Sequence, residues 1–199
     1  MGDLSLAHKS QTDNPAMVAA QQIDAVMQNW RRRIAKREVG HAALRDLGIS
    51  LDLPQLDVLT AIAGPQPEFL TVEGEETMVS TVAQRLGIDP SRASRLVAEM
   101  VQSGYAERAV SQADSRRTIL RLTKAGQSIV DAVRGYKFLL MGDFLSEWSE
   151  EDRKQFLPLL KRFSEWSEDI DRRRESFTAE IEDLAKRVER PDADGARSA

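Results

Sequence analysis

The 199-residue chain contains no cysteine and only two histidines, His8 and His41. That excludes disulfides, thiolate nucleophiles, cysteine-based peroxide sensing and Cys-containing metal sites. Two separated imidazoles among scattered carboxylates also lack the clustered ligands that a metal sensor needs. No apolar run approaches the roughly 18 residues that suggest a membrane span, and nothing after Met1 resembles the apolar core of a signal peptide, so a cytoplasmic protein is expected. P-loop, Gly-rich dinucleotide turn, nucleophile elbow and zinc-protease helix motifs are all missing. The chain is expected to be non-enzymatic, with no metal and no cofactor.

What is present is ordinary globular material, 41% hydrophobic and 30% charged, sufficient for one good core. Its informative stretch runs from Ser80 to Gly126. Val82, Ala83 and Leu86 share a helical face that stops at Gly87, a natural left-handed C-cap, and Ile88 turns back toward the core. Asp89-Pro90 restarts the chain as an Asx N-cap followed by proline at the first helical position. Along this second helix Ala93, Leu96, Val97, Met100 and Val101 recur at steps of three and four, while Ser91, Arg92, Ser94 and Arg95 project elsewhere. Such a surface suits the major groove, where arginine takes guanine O6 and N7 bidentately and a helix N-terminus attracts phosphate. Pro90, Ser91, Arg92, Ser94 and Arg95 are therefore the candidate reading residues, and Gly104 closes the helix.

Tyr105–Ser111 and Thr118–Leu122 have strand character, joined by the polar turn 112–117. Asp114, Ser115, Arg116 and Arg117 form the tip of this hairpin. Arginines there can reach phosphates or a narrow minor groove, and the Asp114 carboxylate is placed to hold the Arg116 guanidinium. The whole order is helix, turn, Pro-started helix and basic hairpin. It predicts a mainly α fold with a small β-hairpin wing (α+β), a winged helix-turn-helix that holds double-stranded DNA.

The run Asp114-Ser115-Arg116-Arg117, followed by Leu120-Arg121-Leu122-Thr123-Lys124-Ala125-Gly126, resembles the wing signature of the MarR (multiple antibiotic resistance regulator) family. Leu86-Gly87-Ile88-Asp89-Pro90-Ser91 and Leu96-Val97 through Gly104-Tyr105 are similar to its recognition-helix pattern. The resemblance implies a homodimer whose terminal helices interlock and whose paired modules read a pseudo-palindromic operator as a repressor. It also implies release by a small anionic or phenolic effector bound between dimer helices and winged module. Whether this chain has such an effector the residues leave open. Trp30, His41 and Arg45, near the junction of the first helices with the module, are the candidate liners, although Trp30 on an apolar stripe reads first as core and His41 as a surface residue.

Charge is distributed in keeping with this reading. The chain carries a net −4, yet Val79–Lys124 holds eight basic and four acidic residues, a net +4 that leaves −8 on the remainder. A basic module on an acidic body can bind phosphates by counterion release. Arg85, Arg108 and Arg121 read equally well as surface ion pairs. The alternative function is a winged-helix protein-docking module without specific DNA binding, and Arg92, Arg95, Arg116 and Arg117 discriminate between the two.

Around the module, residues 1–14 read as a flexible N-terminus and 15–50 as an N-terminal dimerisation helix. That helix starts at Asn14-Pro15, bears the stripe Ile23, Val26, Met27, Trp30 and Ile34, and extends toward Gly40. Its basic run, Arg31-Arg32-Arg33 with Lys36 and Arg37, reads as a solvated face. Residues 51–125 form the DNA-binding domain, opened by a supporting helix from Asp52-Leu53-Pro54 to Gly64-Pro65. Within it 66–77 is an acidic connection, longer than the resemblance leads one to expect. Residues 126–190 read as C-terminal dimerisation helices, because Phe138, Leu139, Met141, Phe144, Leu145, Phe156, Leu157, Leu160 and Phe163 make faces wider than one partner helix needs. The tail 191–199 reads as disordered.

Overall fold

A computed structural model describes residues 14–64, 76–166 and 170–188. The terminal stretches 1–13 and 189–199, and most of the acidic connection (65–75), lie outside the described residues. The chain divides into two compact units, Met1–Met141 and Gly142–Ala199.

In the first unit α1 spans Pro15–Ala35, with the Asn14 side chain accepting the Ala16 N–H at 3.0 Å. The predicted continuation toward Gly40 does not form. Arg37 sits in the left-handed region (φ 53°), and a separate α2, Glu38–Asp46, starts behind it. A non-glycine residue there costs on the order of 1–2 kcal/mol, so something else holds the break. The Arg37 guanidinium is bidentate on the Asp57 carboxylate, which corrects its reading as part of a solvated face.

The supporting helix α3 covers Leu53–Ala63 as predicted. Its reciprocal cap joins Asp52 Oδ1 to the Gln55 N–H (2.8 Å) and Gln55 Oε1 to the Asp52 N–H (3.0 Å). Helix α4 (Val79–Leu86) and helix α5 (Pro90–Gln102) follow, then strands β1 (Ala106–Val110) and β2 (Thr118–Leu122) and the long α6 (Lys124–Ser146). The strands pair antiparallel from Ala106 opposite Leu122 to Val110 opposite Thr118. A feature unseen in the sequence completes the sheet: Thr77 bridges Leu120, whose N–H donates to the Thr77 carbonyl at 2.7 Å.

One core joins α3, α4, α5, the hairpin and α6 through Val58, Leu59, Ile62, Val82, Val97, Met100, Ala106, Leu120 and Val130. Full burial of side chains such as Leu59 and Met100 is worth about 1.5–3 kcal/mol each. Leu44, Leu53 and Leu56 form a second cluster that seats α2 on α3. By contrast α1 buries no residue, and Trp30 on its stripe is 57% exposed rather than core.

The second unit contains α7 (Glu150–Ser164), α8 (Ile170–Glu175) and α9 (Thr178–Lys186). Ser149 caps α7 by accepting the Asp152 N–H, and Arg153 Nη1 donates to the Leu145 carbonyl at 2.9 Å. Trp148 meets Phe144 and Phe156 edge to face, with centroids 5.8 and 5.2 Å away. These rings border an open groove of about 520 Å³, lined by Glu147, Trp148, Asp152, Gln155, Phe156 and Leu159. No helix among the described residues is long and apolar enough to cross a membrane.

Candidate nucleic-acid interface

The turn between α4 and α5 depends on Gly87, which at φ 62° lets the Ile88 N–H reach the Ala83 carbonyl at 3.1 Å and the Gly87 N–H reach that of Gln84 at 3.2 Å. Asp89 then caps α5, its Oδ1 accepting the Arg92 N–H at 2.8 Å. That bond, foremost, holds the Asp89 carboxyl below its usual range, with the Arg95 charge adding to it. The cap is thus ionised whenever the helix is formed near neutral pH.

On α5, Ala93, Val97 and Met100 are buried, while Ser91, Arg92, Ser94 and Arg95 are exposed together with Pro90 at the start. The predicted reading residues share the solvent side of the first two turns. Neither arginine side chain is held in an ion pair among the described residues, so both guanidiniums are available to an anionic partner.

The wing tip is built differently from the expectation. The Asp114 carboxylate accepts the backbone N–H of Arg116 (3.0 Å) and its carbonyl accepts that of Arg117 (2.9 Å), making an Asx turn on a β-turn. Asp114 therefore shapes the backbone and does not clamp the Arg116 guanidinium, a short-range bond outcompeting a long flexible one. Arg116 and Arg117 project freely, and Ser115 is exposed beside them.

Ser111, at the end of β1, is buried and central to the wing base. Its Oγ accepts the N–H groups of Ala113 (3.1 Å) and Asp114 (3.0 Å) and donates to Glu76, whose other carboxylate oxygen takes the Gln112 N–H at 3.1 Å. Sequence reasoning missed Glu76, which lies in an acidic run with no visible partner. Arg108 and Arg121 are exposed along the hairpin, whereas Arg85 is committed to structure, donating to the Ala61 carbonyl (2.7 Å) and the Thr77 hydroxyl (3.0 Å).

The three effector candidates lie on two helices. Trp30 lies on α1; His41 and Arg45 are exposed on α2, with Arg45 Nε donating to Asp46 at 3.0 Å. None of them lines the groove beside Trp148. No group of three or more acidic or imidazole side chains among the described residues is arranged to hold a metal ion.

Reading helix, turn and wing define a winged helix-turn-helix protein. Residues 49–117 match the model of the MarR family. Regulators of this family are non-enzymatic DNA-binding proteins. The chain is 24% identical over 110 residues to YdgJ, an uncharacterised HTH-type transcriptional regulator of Bacillus subtilis, covering 54% of this chain and 67% of that one. Among solved structures, a MarR family protein from Bacillus stearothermophilus shares the fold with a TM-score of 0.58 at 19% identity, over 72% of this chain and 94% of that one. MepR of S. aureus bound to ethidium bromide does so with a TM-score of 0.50 at 20% identity, over 68% and 92%.

Proposed function

We propose that the chain is a homodimeric repressor that reads a pseudo-palindromic operator, α5 entering the major groove and the wing gripping the flanking backbone. The observation that carries this is the exposed, unpaired set Arg92, Arg95, Arg116 and Arg117 on a module with a net charge of +4 inside an acidic chain. Ser91, Ser94 and the N-terminus of α5 add donors for base edges and phosphate.

Dimerisation is supported by α1. Its 21 residues bury nothing in the single chain, yet Met17, Ile23, Val26, Met27, Trp30 and Ile34 lie on it at helical spacing and are 41–67% exposed. Most helical stability in proteins comes from packing an amphipathic face, and a contiguous exposed apolar face marks an interface. The same holds for Phe138–Met141 on α6 and for the exposed Phe156, Leu157, Leu159 and Leu160 on α7. A dimer sets two α5 helices about one DNA turn, roughly 34 Å, apart. A ligand that splays them would release DNA if it prefers the splayed state by a few kcal/mol. Trp30, His41 and Arg45 are the candidates for contacts to such an effector, small and anionic or phenolic. Because a protein of the same fold holds the aromatic cation ethidium, a screen should span cationic aromatics too.

Selection of duplexes from a random pool, followed by titration of the enriched sequence at two salt concentrations, tests the reading. A palindromic site with half-sites one turn apart, bound by two chains, is expected. Enrichment of nothing would return the module to a protein-docking role.

A further inference from the structure

We infer that Glu76 is a wing-positioning residue: an acidic side chain that strengthens DNA binding by ordering the basic hairpin tip. The inference rests on the DNA-binding reading above and adds a residue that neither the helix nor the wing motif contains.

The backbone beside Glu76 is fixed from three directions. Thr77 is 5% exposed; its carbonyl accepts the Leu120 N–H of β2, its hydroxyl donates to the Ile62 carbonyl at the end of α3 (3.4 Å), and Arg85 of α4 donates to that hydroxyl. Glu76 is therefore presented to the wing from a rigid frame. One carboxylate oxygen accepts the Ser111 hydroxyl and the other the Gln112 N–H, at the point where β1 ends and the tip begins. With its proton committed to Glu76, Ser111 Oγ turns its lone pairs to the Ala113 and Asp114 N–H groups. Asp114 in turn caps Arg116 and Arg117. A continuous series of bonds thus runs from Glu76 to the backbone of the two arginines. Hydrogen bonds to a carboxylate are among the stronger ones, and ordering the tip before binding removes an entropy cost from the complex.

Charge alone predicts the opposite sign. Taking a negative charge away from a basic DNA-binding surface should tighten binding. If Glu76 orders the wing, Glu76→Ala should instead weaken binding to the selected duplex about tenfold and lower the slope of log affinity against log salt by about 1, as an arginine leaves its phosphate. Ser111→Ala should do the same with no change of charge, and Glu76→Gln, which keeps one carbonyl acceptor, should fall between. In an Arg116→Ala/Arg117→Ala background, Glu76→Ala should leave affinity within about twofold, because the arginines it positions are gone. Amide exchange at Ala113 and Asp114 should accelerate in Glu76→Ala while the α5 amides stay protected. Equal or tighter binding by Glu76→Ala, or a full loss persisting without the two arginines, would overturn the proposal. If the unaltered protein selects no duplex, the DNA reading fails. The exchange measurement then decides the ordering role by itself, and unchanged Ala113 and Asp114 amides would end it.

Discussion

The Arg37 guanidinium forks onto the Asp57 carboxylate, Nη1 lying 2.7 Å from Oδ2 with Nη2 against Oδ1. This pair, 20 residues apart in sequence, joins the break between α1 and α2 to the supporting helix α3. It stabilises a left-handed arginine that no local signal favours, and it sets the direction in which α1 leaves the winged module.

Asp57→Asn should lower stability by about 1 kcal/mol, the upper range for a pair roughly one-third exposed on each side, and the loss should shrink at high salt. Arg37→Lys keeps the charge without the planar fork and should lose a similar amount. Urea titration at two salt concentrations measures both. A variant as stable as the parent would show that α2 packing alone holds the break.

Gly126 is a close-approach position. A Cβ there would stand 2.0 Å from the Tyr105 carbonyl oxygen, which also accepts the Thr123 N–H at 3.0 Å where the hairpin meets α6. Backbone has to move to admit a methyl group, so Gly126→Ala should cost about 1–3 kcal/mol. At Gly135, further along α6, an added Cβ meets nothing within 4 Å. Gly135→Ala should be neutral or stabilise by up to about 1 kcal/mol through helix propensity. Thermal unfolding of the two variants should move in opposite directions.

These contrasts show which parts of the molecule are legible in the sequence. The caps at Asp52 and Asp89 and the Gly87 turn rest on bonds within a few residues, and local pattern carries them. Arg37, Glu76 and Arg85 answer to partners 20, 35 and 24 residues away, so their roles emerge only when the chain is folded. Asp114 misleads in another manner: its spacing points to the guanidinium of Arg116, whereas the nearer backbone N–H is the better-placed donor. Trp30 stands on a stripe that is real but exposed among the described residues, and periodicity alone cannot distinguish a buried core from an exposed apolar face. The exposed Ser/Arg set of α5 is recognisable because a solvent-facing group of this kind on an otherwise apolar helical wheel is itself a local pattern.

The Tyr136 hydroxyl donates to Asp46 Oδ2 at 2.7 Å, tying α6 to the end of α2. That bond is the main cause holding the Asp46 carboxyl below its ordinary value near 3.8, with Arg45 assisting, and it is the main cause holding the Tyr136 phenol above 10. A lowered carboxyl contributes stability above its unfolded value and loses it as pH falls through the folded one. A raised phenol contributes below its unfolded value and loses it as pH rises through the folded one. The stability difference between the parent and Tyr136→Phe should therefore form a plateau from about pH 4 to about pH 10 and close at both ends, as followed by melting across that range. A pH-independent difference would assign the effect to packing of the ring instead.

Arg95 and Arg116 should fail differently on DNA. Arg95 lies on the exposed side of α5 among the small hydroxyls Ser91 and Ser94, a setting that admits base edges, whereas Arg116 sits on a hairpin tip whose backbone is fixed but whose side chain is free. Arg95→Ala should cost about 1–3 kcal/mol on the selected sequence and little on a duplex altered at the base pair it reads, relaxing preference at one position per half-site. Arg116→Ala should weaken all duplexes together and reduce the salt slope by about 1 for each phosphate it no longer neutralises. Titrating both variants against the selected and the altered duplex separates the two behaviours. If Arg95→Ala weakened every sequence equally, Arg95 would be a phosphate anchor, and the reading of bases would pass to Arg92 and the serines on the same face.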